Sequence, residues 1–317
     1  MDKELATKLL KTMHLIRSFE EKIEEAYWNF EFTGELHLSN GQEAVATGVM
    51  LNLKENDAVE TTHRAHGHLI AKGVDLKKMT AEIYGKVTGF SKGKGGHMHL
   101  IDPSKHISTS GIVGASLPIA LGYAFAFKYR KAPYIAVAMF GEGAQNEGAF
   151  HESLNLAKVL KLPVLFVCED NKYAISTVSS SVTASENSVA RAATYGIPGK
   201  VVDGNDVVAV YESSKEAVEY VRSGKGPYLL EFKTYRLSYH LCGDIENYKP
   251  EGENEEMLKQ EPLSHFKTYL LRENFLSEKD IRKIENWAQN KVKEAIEYAR
   301  KSPYPNLEEA YTDVFIK

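Results

Sequence analysis

Apolar residues recur at helical spacing near the start of the chain, at Leu5, Leu9, Met13, Ile16, Phe19, Ile23 and Tyr27. This predicts a long helix opening residues 3 to 30 and burying one stripe against the rest of the molecule. From Gly34 to about Gly111 the periodicity breaks into short helical stretches such as LKKMTAEIYGK, separated by loops rich in Gly and His, with SKGKGGHMH (91–99) the plainest loop. The period then changes. Short apolar runs near 134–140, 164–168, 200–203 and 228–232 read as buried strands with helices between them. Alternating β and α segments from about Gly114 to Phe232 predict an α/β core, a parallel sheet covered by helices on both faces.

Beyond the last strand, HLCGDIENYKPEGENEEM (240–257) is polar and carries Gly and Pro, so it reads as a long surface loop. A helical tail follows. Ser277 with Asp280 has the pattern of a capping box, opening a helix that lines up Ile281, Ile284, Ala288, Val292, Ala295 and Ala299 and stops before Pro303. The hydroxyl-rich stretch STVSSSVTAS (176–185) reads as a flexible loop. The expected organisation is one domain over 1–317: an N-terminal helical and loop region (1–110), the α/β core (111–240), and a loop with a helical tail (241–317).

Composition narrows the function classes. At 317 residues the chain can bury a sizeable core, and a net charge of −4 with both signs interspersed gives no electrostatic case for nucleic acid or an anionic membrane. The two cysteines, Cys168 and Cys242, make neither a disulfide framework nor a thiolate metal site, which points to a reducing cytoplasm. No apolar run approaches the roughly 18 residues of a membrane span, and MDKELATKLLKTMHLIRSFEEKI is a charged amphipathic helix rather than a signal peptide.

The chemistry concentrates after the first long apolar run, in YIAVAMFGEGAQNEG (134–148) and, beyond the next strand, VLFVCEDNKYAIS. Gly141 and Gly143 let main-chain N–H groups come close to a ligand, and a helix expected from about Glu147 to Leu160 offers its N-terminus to an anion. Asn171 is delivered to the same edge of the sheet, where open α/β sheets bind ligands. The run is not a dinucleotide fingerprint, since Gly148 comes two residues late for G-x-G-x-x-G. Magnesium takes oxygen ligands from one or two protein groups plus phosphate, and Glu142, the Asn171 side chain and the Tyr173 carbonyl make such a set.

Six of the eleven histidines lie between His63 and His106. His63, His66 and His68 lack the i, i+4 spacing of a helical zinc site and no Cys joins them, so a diphosphate and acid/base pocket fits the run better. Arg64 adds a permanent cation with fork geometry for phosphate. His66 and His68 read as structural groups.

With these residues in place, the chain resembles the alpha subunit of the thiamin-diphosphate-dependent decarboxylating component of 2-oxo acid dehydrogenase complexes, the pyruvate, branched-chain and acetoin family. The match extends over LHLSNGQEAVATG, THRAHGHLIAKGVD, TGFSKGKGGHMHL, GIVGASLPIALG, GEGAQNEGAFHESLN, EDNKYAIS, GKGPYLLEFKTYR and SPYPNLEEAYTDVF, nearly the whole chain. The resemblance implies a thiamin-diphosphate-binding fold with helical extensions at both ends. It implies thiamin diphosphate and magnesium as cofactors, with Glu142, Asn171 and Tyr173 on the metal and Gly143, Ala144, Arg64 and Arg236 on the diphosphate. His63 stands where the family usually has Tyr. Gly111 and Val113 would lie along the pyrimidine, His99 would flank the substrate channel, and His240 would touch the diphosphate and move protons together with His99. Glu142 replaces the Asp of the wider thiamin family.

The implied partners are a beta subunit, in an α2β2 assembly, and a lipoyl-bearing acyltransferase that takes the acyl group from a 2-oxo acid or acetoin. In two-chain members the glutamate that activates the cofactor sits on the beta subunit, so the chain alone is expected to be inactive. Two other readings compete. One is a scaffold subunit that holds cofactor while its partner does all proton transfer; the other is a nucleotide-binding oxidoreductase using the glycine turn.

Overall fold

The computed structural model describes residues 1–315. Its centre is a seven-stranded sheet built from β1 (Ala58–Thr61), β2 (Ile101–Asp102), β3 (Ile107–Thr109), β4 (Ala136–Gly141), β5 (Val164–Asp170), β8 (Gly199–Asp203) and β9 (Tyr228–Lys233). The short strands β6 (Tyr173–Ala174) and β7 (Thr177–Val178) pair separately. In space the order is β2-β3-β1-β4-β5-β9-β8, and every pairing is parallel except β2 with β3. Parallel strands need crossovers, and helices supply them on both faces.

Side-chain alternation sorts β4 between two cores. Ala136, Ala138 and Phe140 join Leu117, Ala120 and Leu121 of the helix Ser116–Tyr129 and Phe150 and Leu154 of the helix Gly148–Val159. Val137 and Met139 face the other way, toward Val210, Ala217 and Val221 of the helix Val207–Arg222 and Ile16, Phe19 and Ile23 of the opening helix Lys3–Trp28. The C-terminal helix Glu278–Lys301 closes this second face through Val292, Ile296 and Ala299, and its capping box between Ser277 and Asp280 forms. Among the described residues no helix is long and apolar enough to cross a membrane, and both cysteines are buried and free.

Three of the seven strands fall within residues 58–109, so the sheet reaches well back into the stretch read from the sequence as helix and loop. The reason is length: β1 is four residues, half of them polar, and β3 is three. Downstream of β4 a 3-10 turn, Glu142–Asn146, precedes the helix, which begins at Gly148 because Glu147 is extended (φ −78°, ψ 144°). The stretches read as loops at 176–185 and 240–257 contain a short helical turn, Ser179–Val182, and the start of the helix Glu253–Leu258.

The opening helix does more than pack. Its fully buried Glu20 accepts a hydrogen bond from Ser39 Oγ at 2.6 Å and lies 3.1 Å from His66 Nδ1. Packing against Val207–Arg222 brings the helix Glu43–Met50 so close that a Cβ on Gly48 would stand 2.5 Å from Val210 Cγ1 and 2.9 Å from the Tyr211 backbone nitrogen. The backbone atom cannot swing aside. Gly48→Ala is expected to lower stability by about 1–3 kcal/mol through overpacking, read as a shift in the urea midpoint at constant m-value.

Candidate active site

Because the strands run parallel, the C-terminal ends of β1, β3, β4, β5 and β9 share one edge, and the residues that follow them converge. Thr62 to Arg64 follow β1, Ser110 to Gly114 follow β3, Glu142 to Ala144 follow β4, Asn171 to Tyr173 follow β5, and Arg236 and His240 follow β9. Together with His37 and Gln42 they line a cavity of about 450 Å³, of the size that takes a small cofactor.

Glu142 is buried, and its carboxylate accepts a hydrogen bond from the Asn171 backbone N–H at 3.2 Å. Burial, and then the charge of Asp170, push its carboxyl up to about 7. Asn171 donates from Nδ2 to Gln42 Oε1 at 3.2 Å and accepts at Oδ1 from the Tyr173 N–H at 3.3 Å. The Tyr173 carbonyl accepts from Arg236 Nη1 at 3.3 Å. A cation therefore already rests on the third oxygen of the set read from the sequence.

Arg236 is the largest fully buried side chain among the described residues. Its Nη2 donates to the Ile175 carbonyl at 3.0 Å and to Tyr248 Oη at 2.8 Å, Nη1 lies 3.3 Å from His240 Nδ1, and Nε has no partner. Arg64 donates to the Leu38 carbonyl and, at 2.8 Å, to the His240 carbonyl. Burial and the nearby Arg236 lower its value to about 10, which leaves it charged at neutral pH. The neighbouring imidazoles respond to both guanidiniums: burial and Arg64 bring His63 to about 3 and His240 to about 4, so both are neutral.

Gly143 is required for a reason internal to the chain, since a Cβ there would lie 2.7 Å from the Cβ of Ala174. At Gly141 a Cβ would meet nothing within 4 Å. The turn thus packs against the segment that follows Asn171, and the glycine demanded by protein contact is the second of the pair.

A model of the family described as "Dehydrogenase E1 component" matches residues 11–308. The chain belongs to this family. It is 43% identical over 321 residues to the alpha subunit of acetoin:2,6-dichlorophenolindophenol oxidoreductase from Bacillus subtilis, covering 100% of this chain and 95% of that one. It is 40% identical over 316 residues to the alpha subunit of the pyruvate dehydrogenase E1 component from Rhizobium meliloti, covering 99% of this chain and 91% of that one. The corresponding acetoin subunit of Cupriavidus necator is 39% identical over 318 residues, covering 100% of this chain and 96% of that one.

In this E1 component chain the residues singled out from the sequence as cofactor and metal groups, His63, Arg64, Gly111, Val113, Glu142, Gly143, Ala144, Asn171, Tyr173, Arg236 and His240, all line the one cavity. His99 does not. It is exposed, with its ring beside Gly111, where a Cβ would stand 3.6 Å from the His99 Cε1. The buried member of the GGHMH pair is His97, 3.0 Å from His37 Nδ1. His66 and His68 are buried outside the cavity lining: His66 pairs with Glu20, while His68 Nδ1 lies 2.8 Å from Thr61 Oγ1 and its Nε2 lies 3.2 Å from a Glu169 oxygen.

The segment LHLSNGQEAVATG is part of the family resemblance, but the sequence reading gave His37 and Gln42 within it no role. Both sit on the loop carried past the end of β9 by Gly41, where a Cβ would collide with the Tyr235 carbonyl at 2.7 Å. A glycine followed by a polar residue ahead of the apolar run EAVATGVM is the available sequence signal.

Proposed function

We propose that this chain is the alpha subunit of an α2β2 E1 enzyme that uses thiamin diphosphate and magnesium to cleave a 2-oxo acid or acetoin and passes the acyl group to a lipoyl-bearing acyltransferase. The observation that carries the reading is the convergence on one sheet edge of a buried carboxyl held near neutrality, an amide and a carbonyl, beside two buried guanidiniums. A carboxyl desolvated to about 7 is short of a counter-charge, and a divalent ion supplies it. The unpartnered Arg236 Nε leaves a buried N–H free for a phosphate oxygen. The residues present therefore fit both groups.

In this reading Glu142, Asn171 and the Tyr173 carbonyl hold the metal. Arg64, Arg236, His63 and the main chain of Gly143 and Ala144 hold the diphosphate, and the main chain of Gly111 and Val113 supports the pyrimidine. Thiamin diphosphate supplies the electron sink for carbon–carbon cleavage. His240, neutral at pH 7, accepts and returns a proton on the substrate side. His99 acts from the rim beside Gly111 and hands protons in from solvent.

Co-production with the beta subunit tests the reading. The assembly is expected to bind thiamin diphosphate only with magnesium present and to reduce a dye acceptor with one of pyruvate, branched 2-oxo acids, 2-oxoglutarate or acetoin. Asn171→Ala is expected to cut turnover by about 100-fold or more, because even groups outside the metal's ligand set cost 10–100-fold. An assembly that binds no thiamin diphosphate, or an Asn171→Ala form as active as the parent, would sink the proposal. His240→Ala separates it from the scaffold reading, in which turnover is unchanged.

A further inference from the structure

One acidic residue on the buried stripe of the opening helix lies outside the cavity lining and pairs with no lysine or arginine among the described residues. Glu20 stands one helical turn from Ile16 and from Ile23, both core residues, and is itself fully buried. A carboxylate there is costly to desolvate unless its neighbours compensate. Its ion-pair partner is an imidazole, His66, and its other contact is Ser39 Oγ at 2.6 Å. A carboxylate can only accept. The hydrogen between Glu20 and His66 therefore sits on His66 Nδ1, 3.1 Å away.

From His66 a line of buried rings runs to the cavity. The His66 and His97 centroids are 5.6 Å apart with planes at 66°, and the nitrogens left over on the two rings, His66 Nε2 and His97 Nδ1, are both buried with no partner. An orphaned polar atom costs about 1–3 kcal/mol, and pairing these two with each other removes that cost twice. With each nitrogen about 1 Å from its ring centre, nitrogens turned toward each other fall within roughly half an ångström of hydrogen-bond length, a gap that small ring rotations close. The second nitrogen of His97, Nε2, already stands 3.0 Å from His37 Nδ1. His37 in turn lines the cavity, its ring centroid 5.0 Å from that of His240, and its Nε2 makes no hydrogen bond among the described residues.

Burial brings His97 to about 2 and holds His37 lower still, so each of these rings is neutral, with one N–H and one lone pair. In such a row one end decides every tautomer. Glu20 takes the Nδ1 hydrogen of His66, which leaves His66 Nε2 to accept from His97 Nδ1. His97 Nε2 then accepts from His37 Nδ1, and the cavity is offered a bare Nε2 on His37. We propose that Glu20, His66 and His97 are positioning residues that fix His37 as a hydrogen-bond acceptor facing the cavity. A buried carboxylate can hold a neighbouring imidazole in one tautomer; here it acts through two further rings. A bare nitrogen repels phosphate oxygens, so the ligand group that His37 takes is a hydroxyl or N–H donor. The consequence for turnover rests on the proposed E1 activity, whereas the tautomers belong to the chain by itself.

The tautomers are read from the imidazole nitrogen resonances of the isotope-labelled full chain without cofactor, assigned with His37→Gln, His66→Gln and His97→Gln. The parent is expected to carry its hydrogen on Nδ1 in all three rings. In Glu20→Gln, whose amide can donate as well as accept, the His37 hydrogen is expected to move toward Nε2 by about tenfold or more in ratio. His68, held by Thr61 and Glu169, should not change. In the αβ assembly the same variant is expected to lower kcat by about tenfold or more with KM within about twofold. A double variant, Glu20→Gln with His97→Gln, should cost no more than the worse single one, because both act through one line. Circular dichroism establishes that each variant is folded. A hydrogen on His37 Nε2 in the parent, an unmoved His37 tautomer or parent-like turnover in folded Glu20→Gln, or additive losses in the double variant would overturn the proposal. An αβ assembly that turns over none of the substrates sinks the proposed function instead, and the tautomers of the chain alone still decide the role of Glu20.

Discussion

Replacing Arg236 by methionine is expected to release the segment that follows Asn171 and to leave the αβ assembly without measurable turnover. Two residues of that segment, Lys172 (φ 79°) and Ile175 (φ 53°), hold left-handed backbone conformations without being glycine. A β-branched side chain there is a true outlier, and such positions cost of order 1–3 kcal/mol each. Arg236 offsets this by donating to the Tyr173 and Ile175 carbonyls, and hydrogen bonds to charged groups are worth about 1.5–3 kcal/mol each. The two sums are of similar size, so the conformation depends on the guanidinium. Hydrogen exchange of a peptide covering 171–179 should speed by tenfold or more for each 1.4 kcal/mol lost. Arg236→Lys keeps a positive charge at the cavity but has no fork to span both carbonyls, so it should regain part of the turnover and little of the protection. Parent-like exchange in the methionine variant would mean that pairing of β6 with β7 holds the segment unaided.

A second large effect is expected on acidification. His14, His37 and His97 are buried, and burial lowers all three: His14 to about 4, His97 to about 2, and His37 lower still. Unfolded, each titrates near 6.5. Between the folded and unfolded values the unfolded chain binds the extra proton, so stability is full above about pH 6.5 and falls as pH drops below it. Each such imidazole removes about 1.4 kcal/mol per pH unit. Glu21, Glu60 and Glu142 work the other way, because burial raises their carboxyls and the folded state gains a proton as pH falls. Together with His63 and His240 the lowered histidines outnumber these three, so the net slope follows the imidazoles. Against a total stability of about 5–15 kcal/mol that slope is large. Urea midpoints should be level from pH 8 to about pH 7 and drop steeply from about pH 6.5 to 5.5. A midpoint unchanged across that interval would mean that these rings are already charged in the folded chain.

The central strands were legible because their chemistry is uniform. The run Tyr134–Phe140 yields β4, shifted only at its ends, and β5 continues past the apolar run to Glu169 and Asp170 because their backbones pair with Phe232 and Lys233, while the Glu169 side chain lines the cavity and that of Asp170 accepts from Lys233 and the Lys172 N–H. β1 was illegible for the opposite reason. AVET presents a Glu whose carboxylate is satisfied by Ser108 of β3, a partner that no local pattern reveals. The site followed the same division. Glu142, Asn171 and Arg236 follow the ends of strands legible in the sequence, so strand and motif together placed them, whereas Arg64, beyond the illegible β1, was placed by its motif alone. His37 and Gln42 reach the cavity only because Gly41 lets a distant loop touch the chain beyond β9, and sequence periodicity carries no information about that approach. His97 and His99 are two residues apart in a loop of left-handed glycines, Gly93 and Gly96 among them, and the loop's path decides which ring turns inward.

The 2.7 Å approach between the would-be Cβ of Gly143 and Ala174 makes the two positions share one volume. In evolutionary terms they are a single site written twice. A lineage can enlarge residue 143 only after residue 174 has become glycine, and the order of those two steps is fixed, because the intermediate with both side chains present forces the turn carrying Glu142 away from the segment that carries Asn171 and Tyr173. Sequences across the family should therefore show glycine at one of the two positions with few exceptions, a pairing rule that follows from steric exclusion and is independent of the substrate each enzyme uses.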